Sequence, residues 1–169
     1  MPRSRFTPLV LATVFCATPV AWGQLAADNP DWKETNVPPP PAFNAAKLIA
    51  VEVSANSALS FGVDPATLVI APDGVVRYVV VASSRSGAMN AMYEGVRCAT
   101  GDYRVYARYN TSGGWSPVGD TDWRSMYAPS PSRYTLAIAK AGVCKGNAPN
   151  LSTEHIVRDL RAGPDRKFD

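Results

Sequence analysis

From residue 47 onward the spacing of apolar positions changes period along the chain, and the changes outline the elements. Alternation with a period of two predicts strands over 48–53, 67–71 and 75–82. Pro72-Asp73-Gly74 separates the last two. It reads as a turn for a physical reason: proline presets φ, and glycine takes the positive φ that other side chains resist. Positions 75–81 are apolar on both faces except at Arg77, the pattern of a central strand covered on both sides. A small-residue loop over 83–87 leads into a strand ending near Cys98. The turn 99–102 and a strand over 103–109 follow, then a loop at Thr111-Ser112-Gly113-Gly114 with Trp115 beyond it. Residues 121–127 form a short turn around Trp123. Ser130 or Ser132 caps a helix running to Ala141 and ending at Gly142, although 134–138 also alternates and fits a strand. Ser152-Thr153-Glu154 opens a last amphipathic helix with Ile156, Val157 and Leu160 on one side. No internal repeat is present. The expectation is an α+β protein: an antiparallel meander of about five strands with two or three helices packed on it.

The register of the central hairpin decides what its side chains can do. If a four-residue turn spans 99–102, Cys98 faces Tyr103 and the remaining pairs follow. One face then carries Met92, Glu94, Val96 and Cys98 with Tyr103, Val105, Ala107 and Tyr109. The other carries Tyr93, Gly95 and Arg97 with Arg104, Tyr106 and Arg108. Glu94 lies among aliphatic side chains, where an ionised carboxylate needs a partner. Arg77 is the expected one, in a buried ion pair that is structural rather than catalytic. On the second face Tyr106 would cover Gly95, and Tyr93 would stack on Arg108. Arg97 would stand opposite Arg104. That juxtaposition calls for a negative group between them: Asp102, Asp159 or an anionic ligand. Tyr93, Arg97, Arg104, Tyr106 and Arg108 therefore form the candidate binding face.

The N-terminus changes how composition is read. Arg3 and Arg5, the apolar run 9–17 and the small-x-small site Ala21-Trp22-Gly23 read as a cleavable secretory signal over 1–23, with cleavage near Gly23. The expected location is the periplasm. The apolar run is too short to cross a membrane, and no later stretch is long enough. Cys16 follows Phe15 rather than a small residue, so a lipid anchor is not expected. The whole chain carries 17 basic and 14 acidic residues, net +3. Removing the signal removes two arginines and no acid, leaving +1, so nucleic acid is not an expected partner. Cys98 and Cys144 then remain as an even pair in an oxidising compartment, and one disulfide between them is expected. By chain-entropy arithmetic it contributes on the order of 4 kcal/mol.

Residues 24–46 form a Pro-rich arm with Pro38-Pro39-Pro40-Pro41 as an extended segment. Trp32 within it has two readings: docking onto the domain, or contact with a partner. A single α+β domain is expected over 47–162, followed by a charged tail at 163–169.

Familiar chemistries find little support. His155 is the lone histidine, and no G-x-S-x-G elbow, phosphate loop or S-x-x-K motif occurs. One histidine and two disulfide-bonded cysteines do not make a zinc site, and neither metal nor cofactor is expected. Carboxylate chemistry stays open through Glu94 with Asp120 or Asp122. The functional expectation is a non-enzymatic binding or accessory module for an envelope component or protein partner. The alternative is a cell-wall hydrolase using Glu94 as acid or base.

Several runs together resemble the cryptic neisserial protein-like family of small bacterial envelope proteins. They are Asp73-Gly74-Val75-Val76-Arg77-Tyr78, Ser86-Gly87-Ala88-Met89-Asn90 and Tyr93-Glu94-Gly95-Val96-Arg97-Cys98, with Tyr106-Ala107, Trp115 and Trp123. The resemblance spans 32–160. It implies an envelope location and carries over no activity, cofactor or site residue.

Overall fold

The computed structural model of the protein describes residues 29–54, 57–119, 122–129 and 133–163. The signal and its cleavage site, Asp120, the capping residues Ser130 and Ser132, and 164–169 of the tail lie outside the described residues.

Among the described residues ten strands and two α-helices follow one another. The strands are β1 (Ile49–Val51), β2 (Leu59–Val63), β3 (Val69–Ile70), β4 (Val75–Ser84), β5 (Met89–Arg97), β6 (Asp102–Asn110), β7 (Gly114–Pro117), β8 (Arg124–Ser125), β9 (Cys144–Lys145) and β10 (Ala148–Pro149). The first eight form one antiparallel sheet in the order β1-β2-β4-β5-β6-β7, with β3 on β4 and β8 on β6. Helix α1 (Arg133–Ile138) continues into a π-turn, Ala139–Val143, and α2 (Thr153–Ala162) begins at Ser152, whose side chain accepts from the His155 amide. The α+β class, the antiparallel meander and the disulfide all stand as expected. Residues 134–138 are helical. Five strands have no counterpart in the sequence reading: β2, β7 and the two-residue β8, β9 and β10.

β4 is buried along Val75–Ala82 because both faces of the sheet are covered. On the first face Val76, Tyr78, Val80, Met92 and Val96 share a core with Ile138 and Val143 of the helical segment and Ile156 and Leu160 of α2. The Cys98–Cys144 disulfide, with Cα atoms 5.7 Å apart, ties the end of β5 to the end of that segment. On the second face Val79, Val81, Ala91, Tyr93 and Ala107 form a separate core. No helix covers it. Its cover is the N-terminal arm, through Val37 and Phe43.

The hairpin register differs from the expected one. The turn closes with the Gly101 amide on the Arg97 carbonyl, so Arg97 faces Asp102 and Val96 faces Tyr103. Gly101 takes φ +72°, a conformation that puts glycine last in the turn and makes Asp102 the first strand residue. This displacement preserves the faces of 102–105. A β-bulge between Tyr93 and Glu94 then shifts the pairing by one residue, giving Tyr93–Ala107 and Met92–Arg108. Beyond the bulge every side chain of β6 changes face. Ala107 and Tyr109 join the second face, and Arg108 leaves it.

Gly95 lies where this sheet is most crowded. A Cβ there would collide with the Tyr106 hydroxyl and approach Val75 Cγ1 to 2.8 Å. Gly95→Ala is expected to cost about 1–3 kcal/mol by overpacking and to displace Tyr106. Urea unfolding checks this, and a loss below about 0.5 kcal/mol would contradict the packing argument.

Candidate functional site

The second face gathers its charged residues around a carboxylate from the arm. Glu34 accepts from Tyr106 Oη at 2.5 Å, from Arg104 Nη1 at 3.0 Å and from Arg77 Nη2 at 3.3 Å. Arg77 sits on β4, and Arg104 and Tyr106 lie two positions apart on β6. Two guanidinium groups and a phenol thus converge on one carboxylate, an arrangement suited to planar anions. Burial and the Glu34 hydrogen bond hold the Tyr106 phenol well above its ordinary pKa, so it stays a donor. Arg77 is 2% exposed, and its Nε has no hydrogen-bond partner among the described residues.

Asp73, in the turn before β4, fastens the arm to this cluster. Its Oδ2 accepts from the Thr35 amide at 2.8 Å, the Thr35 hydroxyl at 2.6 Å and Arg77 Nη2 at 2.8 Å, while Oδ1 accepts from the Val75 amide at 3.0 Å. Burial pushes its carboxyl up, but the bonds from Arg77, Thr35 and Val75 outweigh this and hold it down to about 2. The Asp73 carbonyl accepts from Trp32 Nε1 at 2.8 Å. The Trp32 ring lies 3.9 Å from the Arg97 guanidinium and 5.7 Å edge-on from Trp123. Further along, Phe43 packs edge-on against Tyr109 and Trp115, at 5.1 and 5.8 Å between ring centroids. Between these anchors a cavity of about 430 Å³ runs beside Pro38–Pro40 over Tyr93, Tyr106 and Trp115.

Several expectations are corrected here. The candidate pair Arg77–Glu94 does not form, because Arg77 aligns with Gly95 and Glu94 with Tyr78, on opposite faces of the sheet. Arg77 instead pairs with Asp73 and Glu34. Arg97 and Arg104 do not face each other; their cross-strand partners are Asp102 and Gly95. Tyr93 is 2% exposed and tilts against Tyr106, at 5.3 Å, rather than stacking on Arg108. Arg108 is exposed on the first face. Of the proposed five, all but Arg108 border a common segment, and it is the arm. The residues the sequence reading missed are Glu34 and Asp73. Their signal was present: an acid two residues after Trp32, and a second one in the turn before the lone arginine of β4.

Glu94 is enclosed. It is 0% exposed, accepts from the Tyr134 hydroxyl and has no partner on Oε2 among the described residues. Burial pushes its carboxyl up to about 8, offset in part by the Tyr134 bond and the Arg108 charge. At neutral pH it is therefore a neutral acid. Tyr134 in turn lines a cavity of about 200 Å³ with Met92, Tyr103, Arg108, Asp122 and Arg124. A cavity of about 860 Å³ lies instead along β1 and the ends of both helical segments, and none of the candidate residues lines it. Among the described residues no group of three or more His, Cys, Asp and Glu could hold a metal ion. No helix there is long and apolar enough to cross a membrane.

These features define a disulfide-stapled α+β protein whose antiparallel sheet lies between a helical layer and a Pro-rich arm, with a carboxylate held at the arm–sheet junction. The chain belongs to the CNP1-like family, whose model matches residues 27–161. Comparison with curated proteins and with solved structures gives no match.

Proposed function

We propose that this protein is a secreted, periplasmic, non-enzymatic module that binds a partner or envelope component presenting a carboxylate. The observation that carries the reading is the convergence of Arg77, Arg104 and Tyr106 on one carboxylate of an extended segment. Buried donors so arranged recognise a planar anion, and they have no evident use in bond breaking. Secretion is supported by the sequence at 1–23, and mass measurement of the envelope-fraction protein would read a mature N-terminus near Gln24.

The test is capture from envelope extract by the mature protein, wild type against Arg97→Glu/Arg104→Glu. The charge reversal is expected to remove the retained component. An unchanged captured set would sink the reading.

The alternative, a cell-wall hydrolase, is supported by the neutral carboxyl of Glu94 behind Tyr134 and the cavity containing Asp122. It expects wild type to release soluble fragments from purified peptidoglycan and Glu94→Gln to release none. The binding reading expects no release from either.

A further inference from the structure

The arm is held by side chains, not by strand pairing, and its anchors recur at the spacing of an extended chain. Trp32 fills a site made by Arg97, Trp123 and the Asp73 carbonyl. Two residues on, Glu34 fills the Arg77–Arg104–Tyr106 site. The prolines then cross Tyr93, Tyr106 and Trp115, and Phe43 closes the series between Tyr109 and Trp115. Aromatic-lined grooves of this kind dock polyproline segments, because the extended helix arrives preformed and loses little entropy on binding.

Three observations separate this from ordinary core packing. The groove brings Tyr93, Tyr106, Trp115 and the charged Arg104 to the prolines beside Val105, Ala107 and Val118, where a core needs no cation. The arm does not fill it: about 430 Å³ stays open beside the prolines. The Arg77 Nε, buried within the carboxylate site, has a donor to spare among the described residues.

Resting on the binding reading above, we infer that the second face is a peptide-binding groove for which the protein's own arm is the intramolecular ligand. The partner it takes is an extended, Pro-containing peptide with an aromatic residue and an acid two positions later. The tether sets the threshold for exchange. A short linker gives the arm an effective concentration on the order of millimolar, so a partner enters when it binds better than the arm or when the arm is loosened.

The experiment uses the full mature chain and a fluorescently labelled synthetic peptide of residues 29–43. The double variant Trp32→Ala/Glu34→Ala loosens the arm and leaves the groove intact. By fluorescence anisotropy it is expected to bind the peptide at least about tenfold more tightly than wild type does. Adding Arg104→Glu to the variant is expected to abolish binding, as is replacing the acid in the peptide by Gln. If the double variant does not fold, Glu34→Gln, which keeps the Trp32 anchor, serves in its place. A folded variant, judged by circular dichroism and thermal midpoint, that binds the peptide no better than wild type overturns the inference. If wild type still retains an envelope component that Arg97→Glu/Arg104→Glu loses, only the peptide assignment falls. If that retention is absent too, the binding reading falls with it.

Discussion

Glu94→Gln is expected to make the protein more stable at pH 8 and to flatten its stability between pH 4.5 and 8. The folded protein holds the Glu94 proton up to about pH 8, whereas the unfolded chain releases it near 4.5. Between those values the native state binds one proton more than the unfolded state from this group. Stability therefore falls as pH rises, by roughly 1.4 kcal/mol per unit for one full proton. The contribution is whole below the unfolded value and gone above the folded one. Gln has the same shape, stays neutral and can still accept from Tyr134. The cost of ionisation comes from burial, which the Tyr134 hydrogen bond and the Arg108 charge offset only in part. Urea unfolding of both proteins across this pH range reads the effect as a difference curve that widens toward pH 8. Parallel curves would show that Glu94 ionises as readily in the folded state as in the unfolded one. The acid limb behaves oppositely. Asp73 and Asp159 are held at about 2, so the stability they contribute is lost as pH falls below the ordinary carboxylate range. For Asp159, burial is outweighed by bonds from Lys145, Asn150 and Arg158.

β4 came into view as a long run apolar on both faces, and β5 and β6 as long strands flanking the turn near Gly101. β2 escaped although Leu59, Phe61 and Val63 alternate with Ser60 and Gly62, because the run is only five residues long and its first two are exposed. The central register failed for two separate reasons. Reading 99–102 as the whole turn put Gly101 inside it, whereas its positive φ marks the turn's last residue. That error left the faces of 102–105 intact. The bulge at Tyr93/Glu94 did not: it moved Arg108 off the candidate face and brought Tyr109 onto it. Nothing local announces a bulge at a Tyr-Glu step, whereas the cover of Gly95 by Tyr106 was legible in the sequence and stands. The arm was legible as a Pro-rich segment with one aromatic anchor. Glu34 was not singled out, because a lone acid in a polar stretch is ordinarily solvated. It becomes informative once Arg77, Arg104 and Tyr106 are seen to need a carboxylate.

Asp73→Ala is expected to lower stability by about 3–5 kcal/mol and to release the arm. A turn aspartate normally contributes about 1 kcal/mol through its local backbone bond. Here that bond, Val75 amide to Oδ1, is the smaller part of the role. The other oxygen holds Thr35 twice and a buried arginine once. Without it Arg77, 2% exposed, keeps as ion-pair partner only the more distant Glu34, at 3.3 Å. A guanidinium so buried and half-partnered costs far more than a lost surface ion pair. Loss of both Thr35 bonds frees the chain between Trp32 and Glu34, so arm release and destabilisation are linked through one side chain. Asp73→Asn separates the two roles. It keeps the shape of the turn and an acceptor for the Val75 amide while removing the charge that faces Arg77, and it is expected to recover only about 1 kcal/mol of the loss. Urea midpoints give the stabilities, and limited proteolysis within 29–43 reports the arm. An Asp73→Ala protein within about 1 kcal/mol of wild type, with its arm still protected, would mean that Glu34 alone satisfies Arg77. The carboxylate site would then rest on the arm's acid rather than on the turn.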